Sequence, residues 1–546
     1  MSLMEMLGRT LLPRVRSHNT LEPYEHRRQR LIGWVTPIII HSLVLSRSTP
    51  MRLASLLALL FVTTLAVGAD APMPRVVLDV DGQMERHWRE ASIRPSSVAN
   101  GPELFRRLLL DLTGRVPTAR EAGTFQLNQY AATVRQLLAG PEFEWYFATV
   151  LDEIIQGRHA GNDAFVGYLR KALHDGKGWD IVFREVMLGP WDTDARKPAV
   201  GFLDKRAKDL DVLTVDVARS FFGVDISCAR CHDHPLVPDW KRDHYYGMAA
   251  FLVRTTGGKG SITEKPDGEA KFAGKDGKER VAPMMFLTSK VTEPEAQAKG
   301  KTNRREALVQ IAFNEQKFFS RSFVNRLWDY FFGQGLVNPV DQMHTGNVAS
   351  VPALLDRIAE DFAVTGYDIR KLVSAIVSSR TYRLDNHWTD GKLPAAGHFA
   401  VTRLRPLSQR QLARSLVIVL GDGTFDGSPA HLTALDKQTT ELLPALDPRT
   451  NDFQSSAREA LFVSNGEAMR KLLTTGDQNL IARLAATNDD RDLLKTAIRT
   501  VFARPATASE LGELESWLKR HGGKRQEMCE DLVWSLVASA EFRFNH

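Results

Sequence analysis

Residues 228–232, Cys-Ala-Arg-Cys-His, are the part of this sequence whose residue types and spacing could do chemistry. Two thiols separated by two residues and followed by a histidine form the pattern that attaches c-type haem. The thiols bond to the haem vinyl groups, and the histidine binds the iron. Cys228, Cys231 and His232 are therefore the candidate cofactor-binding residues, with His232 as the iron ligand. Covalent haem would make the chain an electron-transfer protein or a redox enzyme.

Two other interpretations fit the same residues. Cys228, Cys231, His232 and His234 carry sulfur and nitrogen donors of the kind that bind zinc or iron. Adjacent ligands such as Cys231 and His232 rarely serve one small ion, which weakens that interpretation. In the second, the two cysteines form a local disulfide and the histidines pack around Pro235. Under either interpretation the chain would be a non-haem scaffold or binding protein whose motif holds a metal ion or a disulfide.

The sequence does not identify a ligand for the opposite face of a haem iron. His244 and Met248 lie nearby on a predicted helix, and His234 follows the first histidine too closely to reach that face. Residues 343–344, Met-His, lie in the other half of the chain. An iron without a sixth protein ligand would permit catalysis as well as electron transfer.

A hydrolase is a further option with less support. Asp341 and His344 follow a predicted helix and a glycine turn, where they could line a cleft, but loop capping explains them equally well. The sequence contains no G-x-S-x-G, P-loop, dinucleotide-binding or H-E-x-x-H pattern. The common hydrolase and nucleotide-binding templates therefore do not apply.

The N-terminal sequence predicts export. Arg52 precedes a run of apolar residues without charge up to Asp70, and small residues at 67–69 fit a cleavage site. We expect a signal peptide at 51–69, no stable membrane span after its cleavage, and a periplasmic or cell-surface protein. Residues 1–50 are an arginine-rich extension ahead of this signal. The simplest explanation is that translation starts at Met51, and the alternative is an unusually long leader.

Charge and cysteine content argue against two classes of protein, nucleic-acid-binding proteins and disulfide scaffolds. The whole chain has a net charge of +6, but residues 1–69 hold eight arginines and three glutamates. The remainder, with 63 basic and 62 acidic residues, is close to neutral and gives no reason to expect nucleic-acid binding. Three cysteines are too few for a disulfide scaffold, and we expect Cys529 to be a small buried residue. A periplasmic redox partner would fit an exported haem protein.

Helical signals dominate after residue 100. Leu104, Leu108 and Leu112 share one helix face, and Gly114 ends that helix. A second helix starts with a capping box at 118–121, and the same pattern recurs at 507–510. Residues 137–143, 536–542 and, more loosely, 376–382 share a helix end with an aromatic residue. These similarities indicate a recurring helix pair or a coincidence among helix-end signals.

Two predicted helices flank the candidate haem motif. The first contains residues 210–222 and ends at Gly223, and the second contains residues 243–251. Pro235 and Pro238 prevent a long helix directly after the motif.

The chain length predicts more than one domain. We expect a mainly α protein with a first helical domain at 73–254 and a second at 304–546. A glycine-rich linker, 255–303, joins them, with a candidate β-hairpin formed by 271–273 and 280–282. The core of the second domain is expected to contain an aromatic set: Phe323, Trp328, Phe331 and Phe332.

Residues 228–235 and 243–251 resemble a family of exported planctomycete proteins in which a cytochrome-like domain is followed by a companion domain, both of unknown function. The first domain's Arg-Arg-Leu-x-Leu-Asp-Leu-Thr-Gly-x-x-Pro-Thr pattern is matched by residues 106–118. The companion's patterns are matched by residues 304–308, 323–328, 332–337, 378–383 and 541–546. The resemblance covers nearly all of residues 75–546.

This resemblance implies export and a cytochrome-like first domain, but no established activity. One departure is that residues 350–355 read Ser-Val-Pro-Ala-Leu-Leu, where family members often have His-Pro-Glu-Leu-Leu. Larger relatives also carry an additional N-terminal cytochrome domain that this chain lacks.

Overall fold

Local helix-end signals are reproduced in the structure, which is a computed structural model. It describes residues 75–190, 192–194, 196–258, 260–274, 276–292, 303–446, 467–474 and 478–546. The predicted extension and signal peptide, residues 1–69, lie outside the described residues. Among the residues described, no helix is both long enough and apolar enough to span a membrane.

The N-terminal part, residues 75–254, is mainly helical in its described residues. Its helices are α1 (Arg75–Glu90), α2 (Gly101–Thr113), α3 (Ala119–Thr124), α4 (Tyr130–Ala139), α5 (Pro141–Gln156), α6 (Asp163–His174), α7 (Trp179–Leu188), α8 (Gly201–Asp204), α9 (Leu210–Phe222) and α10 (Arg242–Leu252). Short 3₁₀ helices occupy Leu127–Gln129, Gly157–His159, Lys197–Val200 and Ser227–Arg230.

The segment after α10 contains short antiparallel strands. They are β1 (Thr255–Gly258) with β2 (Ser261–Glu264), β3 (Lys271–Ala273) with β4 (Glu279–Val281), and β5 (Met284–Met285) with β6 (Val291–Thr292). In the β3–β4 hairpin, Lys271 pairs with Val281 and Ala273 with Glu279. The strands therefore lie where the glycine-rich segment was expected to turn back on itself.

The C-terminal part, residues 303–546, is again mainly helical. It contains α11 (Arg304–Asn314), α12 (Gln316–Phe332), α13 (Pro352–Val364), α14 (Ile369–Ser378), α15 (Gln409–Leu420), α16 (Pro429–Leu442), α17 (Glu467–Thr474), α18 (Leu480–Ala485), α19 (Asp490–Phe502), α20 (Ala508–His521), α21 (Arg525–Ala538) and α22 (Ala540–Arg543). The described residues of this part also contain two 3₁₀ helices, Ala396–His398 and Leu443–Ala445, and one strand pair, β7 (Arg405–Pro406) with β8 (Phe544–Asn545). The predicted mainly α fold is confirmed.

The residues at its two ends determine where helix α2 begins and ends. The Asn100 side chain accepts a hydrogen bond from the Glu103 N–H at its start, and Gly114 at its end has φ of 72°. A Cβ on Gly114 would lie 2.2 Å from the Tyr146 ring, so glycine is needed for both conformation and space. The predicted face of Leu104, Leu108 and Leu112, with the rest of the core, is fully buried.

One aromatic cluster joins the two parts of the chain. Trp179 of α7 stacks on Phe323 of α12 with ring centroids 4.2 Å apart, and Trp328 stacks on Phe332 at 4.3 Å. Trp179 and Trp328 are both fully buried. Phe323 and Trp328 thus pack in a core that residues 75–254 also build. Residues 74–546 accordingly form one compact unit.

The carboxylate of Asp111 is the main polar contact between the two parts. It is fully buried on α2 and accepts hydrogen bonds from Arg405 at 2.8 Å, from the Tyr382 hydroxyl at 2.8 Å and from the Asn545 amide at 2.8 Å. The Tyr330 hydroxyl donates to its backbone carbonyl at 2.8 Å. Burial raises the pKa of Asp111, and the Arg405 charge opposes that rise. Four distant positions are therefore held to one helix.

Two buried arginines beside Asp111 hold the C-terminus. Arg106 donates to the Phe542 carbonyl at 2.9 Å, while Arg107 donates to the Tyr382 carbonyl at 2.5 Å and the His546 carbonyl at 3.1 Å. Each arginine is 1% exposed. Burial, with the nearby Arg106 charge, lowers the pKa of His546 to about 3. The sequence pattern at 106–118 is therefore a structural clamp.

Arg115 begins the first of two similar clamps. Its guanidinium pairs with Glu142 at 2.5 Å and with Glu121 at 2.8 Å. The predicted capping box is present, because Glu121 also accepts from the N–H of Thr118. Burial opposes ionisation of Glu121, but the Arg115 charge together with the hydrogen bonds from Arg115 and Thr118 outweighs it and lowers the pKa to about 2. Phe143, next to Glu142, is fully buried.

Arg504 repeats this arrangement near the C-terminus. It pairs with Glu541 at 2.6 Å and with Glu510 at 2.6 Å. Glu510 also closes the capping box whose N-cap residue is Thr507. Phe542, next to Glu541, is again fully buried. The recurring pattern in the sequence thus corresponds to a recurring Arg–Glu–Glu clamp with an aromatic anchor.

We predict that Asp111→Asn destabilises the protein by about 3–5 kcal/mol, because it leaves the Arg405 guanidinium buried without its counter-charge. The measurement is urea denaturation followed by circular dichroism on the full chain. Asp267→Asn, at an exposed position, is the matched control. A loss no larger in D111N than in the control would contradict the role given to this carboxylate.

The Glu121 clamp also predicts a pH dependence. Because the folded-state pKa is lowered, its stabilisation is complete above about pH 4.5 and is lost as the pH falls towards 2. We expect Glu121→Gln to lower the melting temperature at neutral pH and to flatten its decline in acid. Exposed Glu90→Gln serves as control; identical acid curves for E121Q and E90Q would refute the prediction.

Candidate functional site

The motif lies in a loop that begins where α9 ends. Gly223 has φ of 67°, and its N–H donates to the Arg219 carbonyl, as expected for a left-handed helix end. The chain then forms a bridge from Val224 to Gln342 and continues to Trp240 before α10 starts. We call residues 224–240 the CxxCH loop. The predicted helix end at Gly223 is confirmed.

Apolar anchors turn the two thiols outward. Ile226 and Ala229 are fully buried, whereas Cys228 and Cys231 are exposed and unbridged. Exposed and buried side chains alternate along the short 3₁₀ helix Ser227–Arg230. Both thiols therefore face the surface with their sulfur atoms open to reaction.

Asp225 fixes the start of the loop. Its carboxylate accepts hydrogen bonds from the Ser227 N–H at 2.9 Å and from Arg219 at 2.5 Å. Burial opposes ionisation, but the hydrogen bonds from Arg219 and Ser227 lower the pKa of Asp225. The anchor is thus ionised at neutral pH.

His232 has the orientation of a metal-binding imidazole. Its Nδ1 lies 2.8 Å from the Asp233 carbonyl oxygen, and a carbonyl can only accept, so Nδ1 carries the proton. The lone pair is therefore on Nε2. A backbone carbonyl on the second ring nitrogen is the usual way in which proteins fix a histidine ligand.

The other predicted ligands have different environments. Nδ1 of His234 accepts from the backbone N–H groups of Leu236 and Val237 at 3.2 and 3.1 Å, so this ring supports the turn after the motif. His244 is buried, and both its nitrogens are hydrogen-bonded, one of them to Ser289 at 2.9 Å. Burial lowers the pKa of His244.

Met248 is fully buried within α10, which packs against β5. Neither His244 nor Met248 presents an unoccupied donor to the loop surface in this conformation. Within the described residues, the structure brings together no group of three or more His, Cys, Asp or Glu side chains that could hold a metal ion.

A segment from the C-terminal part packs against both ends of the CxxCH loop. The Met343 N–H donates to the Gly223 carbonyl at 3.1 Å, and the Asp225 N–H donates to the Asp341 carbonyl at 2.7 Å. Thr345 donates to the Asp239 carboxylate through its N–H at 2.8 Å and its hydroxyl at 2.6 Å. More than 100 residues separate these partners along the chain, and no local sequence pattern predicts the contact.

This contact brings His344 near Asp239, at the end of the loop. Its Nδ1 is buried and has no hydrogen-bond partner among the described residues. The Asp341 carboxylate instead pairs with Arg326, and Asp341 and His344 do not hydrogen-bond each other within that part of the chain. The geometry expected for an Asp–His hydrolase pair is therefore not formed, while His344 keeps an unsatisfied nitrogen.

Apolar groups border the exposed thiols. Leu236 is 85% exposed beside the motif. Tyr246 of α10 stacks on Phe272 of the β3–β4 hairpin at 4.6 Å, and its hydroxyl donates to the Arg230 carbonyl at 3.2 Å. A flat apolar group attached to Cys228 and Cys231 would find these side chains next to it.

The exposure of the cysteines gives a direct prediction. In reduced protein made without haem, Cys228 and Cys231 should react rapidly with a maleimide, while Cys529 should react only after denaturation. Cys529 is fully buried, and burial raises the pKa of its thiol. Mass spectrometry of labelled peptides measures this. Equal labelling of all three thiols in native protein would contradict the structure.

Two family models match the chain. Residues 79–256 match PSCyt2, described as a protein of unknown function (DUF1549), and residues 303–441 match PSD1, described as a protein of unknown function (DUF1553). No curated protein and no solved structure gives a significant match. The CxxCH loop belongs to the first match and the segment around His344 to the second. The chain therefore carries these two domains, both of unknown function, in tandem.

Proposed function

We propose that this chain is an exported protein that holds c-type haem covalently through Cys228 and Cys231, with His232 as iron ligand, for electron transfer or a redox step outside the cytoplasm. The proposal rests on the exposure of Cys228 and Cys231 and on the hydrogen bond that orients the His232 ring. Two exposed thiols stand three residues apart, and the adjacent imidazole keeps its Nε2 lone pair because Nδ1 is tied to a carbonyl.

The residues around Cys228 and Cys231 are suited to covalent haem. Thioether formation requires accessible sulfur atoms, which the buried Ile226 and Ala229 provide by turning the cysteines outward. Leu236 and the stacked pair of Tyr246 and Phe272 supply apolar surface beside them. Bound haem would supply reversible one-electron chemistry at this position.

Export supports the same proposal. Covalent haem attachment takes place outside the cytoplasm, and residues 51–69 have the composition of a signal peptide. We propose a periplasmic or cell-surface location with a redox partner there. The nearly neutral charge of the rest of the chain favours no nucleic-acid partner.

Among the candidates for a second residue that would hold the haem, we favour His344 over His244 and Met248. His344 lies on the segment packed against the loop, and its Nδ1 has no partner in the described structure. His244 would have to give up two hydrogen bonds, and Met248 would have to leave the core. A haem held by residues of both parts would fit the tandem occurrence of the two domains.

The test is production of the full chain in a host with c-type maturation, followed by a pyridine haemochrome spectrum and haem staining of a denaturing gel. We expect covalent haem in wild type and its loss in Cys228→Ala and Cys231→Ala. Cys529→Ala, which removes the third cysteine, should stay haem-loaded. A colourless wild-type protein would refute the proposal, and metal and disulfide analysis would then identify the alternative.

A further variant tests the role of His344. In His344→Ala the absorption spectrum of the haem protein should change while the covalent haem content stays the same. His174→Ala, at an exposed histidine, is the control. An unchanged spectrum in H344A would remove His344 from the site without affecting the thioether assignment.

A further inference from the structure

A cavity of about 450 Å³ lies between the N-terminal and C-terminal parts of the chain. Helix α5, the end of helix α12 and the loop at 396–408 form its walls. Its volume is within the range of about 300–1,000 Å³ that small-molecule sites occupy. No residue of the CxxCH loop lines it, so a ligand bound there would not occupy the proposed haem site.

Positive charge predominates in the lining of the cavity. Four arginines line it: Arg107, Arg326, Arg403 and Arg405. Among the described residues, the carboxyl groups in the lining are those of Asp329 and Glu153. Burial raises the pKa of Asp329, which disfavours its charged form, and Glu153 is exposed, where solvent screens its charge. The lining therefore favours an anion over a neutral molecule or a cation.

Two of the arginines have no counter-charge. The other two pair with carboxylates behind the cavity wall: Arg405 with Asp111 and Arg326 with Asp341. Arg107 and Arg403 donate to backbone carbonyls instead, and neither forms an ion pair within the described part of the chain. Burial lowers the pKa of both guanidinium groups. The carbonyls leave these two charges uncompensated.

Buried hydrogen-bond donors in the same lining have no acceptor. Arg107 Nη2, Arg326 Nε and the Thr381 hydroxyl are buried without a hydrogen-bond partner among the residues that the structure describes. Arg107 is 1% exposed and Thr381 is 2% exposed. A buried donor without an acceptor is costly, and in a cavity wall its partner is normally water or a ligand. Since a guanidinium group can only donate, the missing partner is an acceptor.

An apolar surface lies beside these charges. Phe332 and Phe399 line the cavity with ring centroids 5.7 Å apart. Leu404, next to Arg403, is also part of the lining and is 56% exposed. A simple inorganic anion would leave this surface and most of the volume unfilled. A ligand that joins an anionic group to an apolar body fits both parts of the lining.

We propose that this cavity binds an organic acid, with its carboxylate accepting from Arg403 and its apolar body packed against Phe332 and Phe399. A planar carboxylate can accept two parallel hydrogen bonds from one guanidinium group, which fixes its orientation. The Thr381 hydroxyl supplies a further donor in the wall. The site lies at the junction of the two domains and does not depend on haem.

The test is isothermal titration calorimetry of the full chain with benzoate, phenylacetate, cinnamate and hexanoate at constant ionic strength. The amides of the same acids are neutral ligands of matched shape, and sulfate and phosphate carry charge without an apolar body. We expect at least one carboxylate to bind about tenfold or more tightly than its amide and than either inorganic ion. Absence of binding by every carboxylate, an amide that binds as tightly as its acid, or tighter binding of sulfate or phosphate would overturn the proposal.

Variants of Arg403 locate the site. Arg403→Ala should weaken carboxylate binding about tenfold or more, because it removes the charged donor. Arg403→Lys keeps the charge without the planar fork and should recover part of the affinity. Arg135→Ala, at an exposed arginine on α4, is the matched control, and melting temperatures show that each variant is folded. Unchanged affinity in folded R403A would overturn the assignment to this cavity.

A pair of variants at Leu404 tests the preference for an anion separately. Leu404→Asp places a negative charge in the lining, whereas Leu404→Asn has nearly the same shape without the charge. Both should fold, because Leu404 is largely exposed. We expect L404D to bind the carboxylate more weakly than L404N does, and the two variants to bind the amide equally. Equal affinities of L404D and L404N for the carboxylate would contradict the proposal.

Discussion

The buried carboxylate of Asp111 connects helix α2 with three distant positions in the C-terminal part of the chain. A charge in a fully buried position is stable only when donors surround it, and here the donors are Arg405, Tyr382 and Asn545. They come from positions 271 to 434 residues further along the chain. A requirement of one side chain on α2 therefore fixes the loop before α15 and the C-terminus.

A second set of contacts between the two parts of the chain holds the CxxCH loop. The segment 341–345 forms backbone hydrogen bonds at the start of the loop. Arg326 pairs with Asp341 and donates to the Arg219 carbonyl next to the loop. The tandem domains are thus one packed unit whose parts complete each other.

Sequence patterns predicted the features that depend on neighbouring residues, which are the helix ends, the capping boxes and the helix faces. Gly114 and Gly223 end helices because the left-handed conformation favours glycine, and the capping boxes need only four consecutive residues. The core face of α2 and the motif's flanking helices followed from periodicity. The partners of Asp111 and the position of His344 were not predictable, because no local pattern encodes a contact across hundreds of residues. The signal peptide lies outside the described residues and stays a prediction.

We infer that the two domains fold as one unit held at Asp111. Differential scanning calorimetry of the full chain tests this inference, with the wild type and D111N compared under the same conditions. Wild type should show a single cooperative transition for the two domains, and D111N should show the same transition displaced as a whole to lower temperature. Two separate transitions in wild type, of which D111N moves only one, would contradict it.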